Sequence, residues 1–342
     1  MRLSMPLDYS GNPVESAHLV TELERAGLGT VWIAEPYGFD APTLMGYLAA
    51  RTETIRIASG ILNIYSRTPG ALLQTAAGLD SVSGGRAVLG LGASGPQVIE
   101  GFHGVPFDRP LARTREVVEI IRMGLRREAL VHHGIYELPL PADRGVGLGK
   151  PLKLLNRPVR PTVPIWLAAL TAKSVAQASE IADGWLPFLF VPEKADEVWG
   201  KALAAGTARR SAELGALEIS AGGLVAIGDD VKGALDRMRP LYALYIGGMG
   251  ARGANFYFDL ACDLGFEAEA HEIQDLYLAG RHRDAEAKVP LAWLEASNLV
   301  GPASYVRERI GAYRAAGVTD LQVTLAGGDP VATIGRLADW AA

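Results

Sequence analysis

Along the chain, short runs of consecutive or alternating apolar residues take turns with longer stretches whose apolar positions recur every three or four residues. The first pattern predicts strands and the second amphipathic helices. Arg2 to Pro6 alternates as a strand; after the turn residues Ser10-Gly11-Asn12-Pro13, the positions Ala17, Val20, Leu23 and Ala26 predict a helix that Gly27 and Gly29 stop. The β-rich run Thr30 to Ala34 predicts a strand buried on both faces. The rhythm continues through helix Pro42 to Ala50, strand Ile55 to Gly60, helix Ala71 to Ser81 and strand Ala87 to Leu91. A longer loop with Pro96, Pro106 and Pro110 leads to a helix carrying Val117, Ile120, Ile121 and Leu125 on one face. Strand Pro164 to Ala168, helix Lys173 to Ile181, strand Gly184 to Leu189, helix Lys194 to Arg210 and strand Ile219 to Ala226 follow. Helix Ala303 to Ala316 and strand Leu321 to Leu325 complete the series.

Strict alternation of strand and helix requires parallel strands joined by right-handed crossovers, and eight such units close a (β/α)8 TIM barrel. A doubly wound open sheet is the competing fold. The expected organisation is one α/β barrel domain over 1–342, with the Gly/Pro-rich stretch 134–163 and the mostly helical stretch 241–299 as insertion regions. At 342 residues and 49% hydrophobic content, the chain exceeds a minimal barrel and can bury a large core.

Charge changes little in this picture: 33 basic and 38 acidic side chains, spread along the chain, give no draw toward nucleic acid or an anionic membrane. A small-molecule partner is expected. The single Cys262 excludes an internal disulfide framework and points to a reducing compartment. With no basic-then-apolar leader and no uncharged apolar run of spanning length, the expected location is cytoplasmic.

Several motifs carry candidate chemistry, each with a plainer reading. Gly90-Leu91-Gly92-Ala93-Ser94-Gly95 spells GxGxxG, but it follows the fourth strand and runs into Pro96, whereas a dinucleotide fold places it at the first strand. It reads as a glycine-rich strand end, either a simple turn or a wall for a flat ligand. Gly149-Lys150-Pro151 fails the P-loop pattern, and the six histidines form no HxxxH pair, so neither a nucleotide triphosphatase nor a catalytic zinc is suggested. Thr171 is placed to cap the helix beginning near Lys173, an ordinary cap whose helix start is also suited to an anion. Glu35, Tyr37, Asp40 and His103 fall just after strand ends, where barrels keep their chemistry; each is a possible proton donor or acceptor, or a cap or ion-pair partner. Arg281-His282-Arg283 and Arg109, Arg113 and Arg115 read as solvated faces.

Taken together, Val31-Trp32-Ile33-Ala34-Glu35-Pro36-Tyr37-Gly38, Ala58-Ser59-Gly60-Ile61-Leu62-Asn63-Ile64-Tyr65, Leu79-Asp80-Ser81-Val82-Ser83-Gly84-Gly85-Arg86 and Leu89-Gly90-Leu91-Gly92 resemble the luciferase-like flavin and deazaflavin oxidoreductases. The likeness is strongest over residues 1 to about 190. Within that superfamily the chain is similar to the coenzyme F420-dependent branch, which includes methylene-tetrahydromethanopterin reductase and F420-dependent glucose-6-phosphate dehydrogenase. The resemblance implies a cis peptide at Gly60-Ile61 behind the deazaflavin ring, ring and ribityl contacts from Asn63, Gly92, Ala93 and Ser94, and phosphate contacts near Ala169, Leu170, Thr171 and Gly184-Trp185. It implies hydride transfer between the deazaflavin C5 and a small organic substrate.

The chain departs from the sugar-phosphate and alcohol dehydrogenase members, which carry an acid then a histidine where it has Glu35-Pro36. That departure favours reduction of an activated C=C, C=N or C=O bond, with Glu35, Tyr37 or His103 as proton donor. The resemblance also implies a homodimer, and the helical stretch from Leu241 to Leu278, with Phe256-Tyr257-Phe258, is a candidate packing surface or lid. Core packing is the plainer account of those aromatics. The rivals are an FMN-dependent luciferase-like monooxygenase and a non-catalytic F420-binding protein. Substrate choice is expected to rest on loops 92–110, 134–164 and 247–290.

Overall fold

The structure is a computed structural model that describes residues 1–7 and 12–342. Its strands are β1 (Arg2–Pro6), β2 (Thr30–Ile33), β3 (Arg56–Ser59), β4 (Leu62–Asn63), β5 (Ala87–Gly92), β6 (Ile165–Ala168), β7 (Gly184–Leu186), β8 (Glu218–Ile227), β9 (Leu299–Gly301) and β10 (Asp320–Leu325). Eight of them form a closed parallel ring in the order β1-β2-β3-β5-β6-β7-β8-β10, with β10 paired back onto β1. These are the eight strands expected from the hydrophobic pattern, and closure rules out the open sheet. β4 continues past the end of β3 and pairs with β5, while β9 pairs with β8 outside the ring.

Alternation along the strands separates two cores. Leu3, Val31, Ile57, Leu89, Ile165 and Leu321 face the surrounding helices and belong to the main apolar cluster. The alternate positions Trp32, Ala58, Val88 and Trp166 form a second cluster inside the ring, with Leu186 packed on it. Below that layer, towards the strand starts, the interior turns polar with Ser4, Thr30, Ser220 and Asp320, all at most 1% exposed. Above it, Gly60, Gly90, Gly92 and Ala168 continue the same alternation, and their small size leaves the ring open at the strand C-terminal ends.

Capping explains several helix starts. Asn12, Asp40, Thr68 and Thr171 each accept a backbone N–H of the first turn, and proline stands in the first turn of three of those four helices. Of the predicted turn before the first helix, Ser10 and Gly11 lie outside the described residues. Three local expectations are corrected. The strand predicted from Gly184 to Leu189 stops at Leu186, because Pro187 has no N–H for the ladder and Leu189 takes a left-handed φ of 52°. The helix predicted from Lys194 to Arg210 is a 3-10 turn (Pro192–Lys194), a π turn (Asp196–Gly200) and an α-helix (Lys201–Thr207). The wider π turn carries Trp199 to where its indole donates to the Leu170 carbonyl at 2.9 Å. The proline-bearing loop after β5 holds a short helix, Pro96–Gly101.

Candidate active site

The floor of the barrel mouth is built where β3 gives way to β4. The Gly60-Ile61 peptide is cis, as the family resemblance implies, and Gly60 N–H donates to the Ile33 carbonyl at 2.7 Å. Ser59 Oγ donates to the Gly90 carbonyl at 2.8 Å and accepts from Gly90 N–H at 2.9 Å, binding the two strands below the turn. Glycine is required at 90, since a Cβ there would lie 1.9 Å from the Ser59 carbonyl oxygen. At Gly92 a Cβ would lie 3.0 Å from Ile61 Cδ1 and 3.4 Å from Ala168 Cβ. Its absence lets the Ile61 side chain pack down over the buried Gly92, beside the exposed Ala168. Ala93 is half-buried beside it and Ser94 exposed, the latter held at a φ of 59° that L-residues seldom adopt.

Asn63 and His103 meet on this floor although 40 residues separate them. Asn63 Oδ1 accepts the N–H groups of Tyr65 at 3.1 Å and Ser66 at 2.7 Å, which fixes the orientation of the amide. Its Nδ2 must therefore donate to His103 Nε2, 3.2 Å away. Accepting at Nε2 leaves the neutral imidazole with its proton on Nδ1. Asn63 itself is 2% exposed, so it acts through the turn and through His103.

Glu35 has a different occupation from the one expected of a proton donor. Its Oε1 takes Arg67 Nη1 at 2.5 Å, and its Oε2 takes Arg67 Nη2 at 2.7 Å and the Ala41 N–H at 2.9 Å. A carboxylate that accepts three hydrogen bonds from a guanidinium and a helix start would have to give one up to take on the proton that a donor must carry. Glu35 therefore ties the β2 loop to the segment after β4. Arg67, which makes this possible, was not singled out in the sequence; its guanidinium lies 32 residues from its partner, beyond any local pattern.

Ala169, Leu170 and Thr171 form the turn after β6. The Trp185 indole donates to the Ala169 carbonyl and the Trp199 indole to the Leu170 carbonyl, both at 2.9 Å. Thr171 Oγ1 accepts from Ser174 N–H at 3.3 Å and caps helix Ala172–Ile181. Two indoles thus hold the carbonyls from behind, and the helix presents its N-terminal end to solvent. Gly184 and Trp185 do not share that surface. Gly184 begins its strand and packs against Trp166, whose ring a Cβ would meet at 2.1 Å; Trp185 is 0% exposed. Both stand behind the turn, Trp185 bracing the Ala169 carbonyl.

Aromatic side chains stand over the mouth. Tyr37 lies 6.4 Å from Phe102, whose ring meets the His103 imidazole edge-on at 5.1 Å. Opposite, Phe188 follows β7 and packs on Tyr245 at 4.5 Å and Tyr257 at 5.8 Å. Burial, with the Tyr37 phenol as a neighbour, raises the Tyr245 hydroxyl above its ordinary value, and burial beside Tyr245 raises Tyr257 further. Phe102, Phe188 and Tyr245 escaped sequence reasoning because aromatics in loops and helices read as packing. A separate cavity of about 570 Å³ lies on the barrel flank, lined by Phe190, Leu203, Ile219 and Ala312. Trp185, whose indole holds the Ala169 carbonyl, also lines it.

Comparison with known proteins agrees with this geometry. Residues 2–320 match the family described as luciferase-like monooxygenase. A Mycobacterium tuberculosis protein with the provisional name coenzyme F420-dependent oxidoreductase is 39% identical over 98% of this chain and 99% of its own. The coenzyme F420-dependent tetrahydromethanopterin reductase of Methanopyrus kandleri superposes with a TM-score of 0.80 at 22% identity, covering 98% of this chain and 97% of that one. An F420-dependent secondary alcohol dehydrogenase, solved with an F420-acetone adduct, superposes with a TM-score of 0.75 at 16% identity, covering 99% and 97%.

Proposed function

The chain belongs to the luciferase-like monooxygenase family, and from that premise we propose that it is a coenzyme F420-dependent oxidoreductase that reduces an activated C=C, C=N or C=O bond of a small organic substrate. Its extended similarity to a protein named as F420-dependent supports the cofactor over FMN. The residues fit a flat deazaflavin: Ile61, packed over the buried Gly92, and Ala168 offer an apolar wall, with Ala93 and Ser94 at its border and Asn63 beneath it. Ala169, Leu170 and Thr171 lead into a helix N-terminus suited to a phosphate of the cofactor. When bound in its reduced form, coenzyme F420 supplies the hydride from C5.

The observation that carries the reading is the Asn63–His103 pair beside the Gly60-Ile61 turn. Asn63 holds the imidazole in the tautomer whose Nδ1 bears the proton, and that proton completes the reduction as hydride reaches the other atom of the double bond. The imidazole regains a proton from water. Glu35 and Arg67 fix the loop that carries Tyr37, and the aromatic side chains above exclude water from the floor.

We also place 134–163 and 241–299 as insertions on a single barrel domain, and assign a homodimer. Support for the dimer comes from Val146, Leu148 and Leu155, which are 88, 82 and 94% exposed, in a stretch that carries Arg144, Lys150, Lys153 and Arg157 within a chain of net charge −5. Among the described residues no helix is long and apolar enough to cross a membrane, and the lone Cys262 accords with a cytoplasmic setting. Calorimetric titration with oxidised F420 and, separately, FMN tests the cofactor: F420 binding with negligible FMN binding is expected, and a preference for FMN overturns the reading in favour of oxygen-dependent chemistry.

A further inference from the structure

The cavity on the barrel flank, about 570 Å³, has the size of a small-molecule site. None of Ile61, Asn63, Gly92 and His103 lines it. Its lining is mostly apolar, with the buried Trp185, Phe190 and Ile219 joined by Leu203 and Ala312.

The charges at this cavity have one sign. Among its lining residues only Glu193 and Asp196 are charged. Glu193 is closed on Arg309, which does not line the cavity, so that pair is close to neutral and Asp196 sets the sign. Asp196 has no hydrogen-bond or ion-pair partner among the described residues. It opens the π turn Asp196–Gly200, a widened turn of the kind that recurs at functional sites. Gly200, at the other end of that turn, also lines the cavity, and a Cβ there would lie 2.2 Å from Asp196 Oδ1. The missing side chain lets the carboxylate lie back along the turn. Helix Ala303–Ala315 brings its last turn to the same cavity through Ala312, Ala315 and the cap Ala316. The negative end of its dipole therefore adds to the Asp196 carboxylate.

We propose that this cavity is a second small-molecule site, selective for a compound that joins an apolar ring body to a protonated amine. The ammonium donates to Asp196 and meets the helix end, and the rings lie against Phe190, Leu203 and Ile219. An anion is repelled there, and a neutral hydroxyl leaves the carboxylate with a weaker donor. The site goes beyond the reductase reading and does not depend on it.

Calorimetric titration of the whole protein with tryptamine, tryptophol and indole propionate, at fixed ionic strength, compares one ring system carrying a cation, a hydroxyl and an anion. Tryptamine should bind about tenfold more tightly than tryptophol, and indole propionate more weakly than either. Asp196→Asn should weaken tryptamine about tenfold and leave tryptophol within about twofold. Glu197→Gln, at a neighbouring acid that pairs with Lys194 and does not line the cavity, should change neither. Ala312→Leu should fill the cavity and weaken both, with the unfolding midpoint reporting that the variant is folded. Tryptophol or indole propionate binding as tightly as tryptamine, no binding of tryptamine, or tryptamine binding unchanged in Asp196→Asn or in folded Ala312→Leu would overturn the proposal.

Discussion

The two ends of the barrel interior are built on opposite plans. At the strand starts, Asp320 accepts from Ser220 Oγ at 2.8 Å, Thr30 Oγ1 at 3.3 Å and Arg2 Nη1 at 3.3 Å, while Glu218 takes Arg2 at 2.9 Å and Arg56 at 3.5 Å. Every group in that layer has a partner and little of it meets water. At the strand ends, glycine and alanine replace large interior side chains, Ser94 and Leu189 hold left-handed backbone, and aromatics stand exposed. The contrast separates stability from chemistry: the closed end fixes the ring so that the open end can keep space and strained turns.

The largest effect should come from the wall that joins the two ends. Gly90→Ala forces a Cβ into the Ser59 carbonyl, so we expect a loss of about 3 kcal/mol or more, measured as the midpoint of urea unfolding, with the floor disrupted as well. His103→Ala breaks only the open end: turnover with F420H2 should fall about a hundredfold, with F420 affinity and unfolding midpoint nearly unchanged. A fall of less than about threefold would give the proton to another group and return Tyr37 to consideration.

Asp320 tests the closed end alone. Asp320→Ala leaves two hydroxyls and Arg2 short of a partner and should cost about 1–3 kcal/mol, with F420 affinity unaffected. Burial raises the Asp320 carboxyl above its ordinary range, and the hydroxyls of Ser4 and Ser220 and the Arg2 guanidinium pull it back only in part. The folded protein therefore holds this proton more tightly than the unfolded chain does. That contribution to stability is full below the ordinary carboxylate range and is lost as pH rises through the raised value. Melting temperatures across acidic pH should show that decline in wild type and a flatter profile in Asp320→Asn. The smallest effect is expected at Glu35→Gln, which weakens the Arg67 clamp by about 1 kcal/mol and should leave turnover within about threefold. A large loss of turnover there would restore Glu35 to the chemistry.

Much of the ring was legible because each of its eight strands is a compact apolar run between helical periods, a signal that buried parallel strands make strong. The two extra strands, Leu62–Asn63 and Leu299–Gly301, span two and three residues and are too short to show a period. The π turn at Asp196–Gly200 was hidden because a helical repeat of apolar residues does not reveal which turn is widened. At the site, Gly60-Ile61 came from family likeness, while the pairings Asn63–His103 and Glu35–Arg67 depend on loops meeting across the mouth.

The most direct test of hydride chemistry at the open end is anaerobic rapid mixing of the protein loaded with F420H2 against an uncharged conjugated enone, following reappearance of the oxidised cofactor. Single-turnover oxidation that is slowed about a hundredfold by His103→Ala and unchanged by Asp320→Asn is the predicted result. Oxidation that requires oxygen, or that is indifferent to His103 and lost with Asp320→Asn, would contradict it.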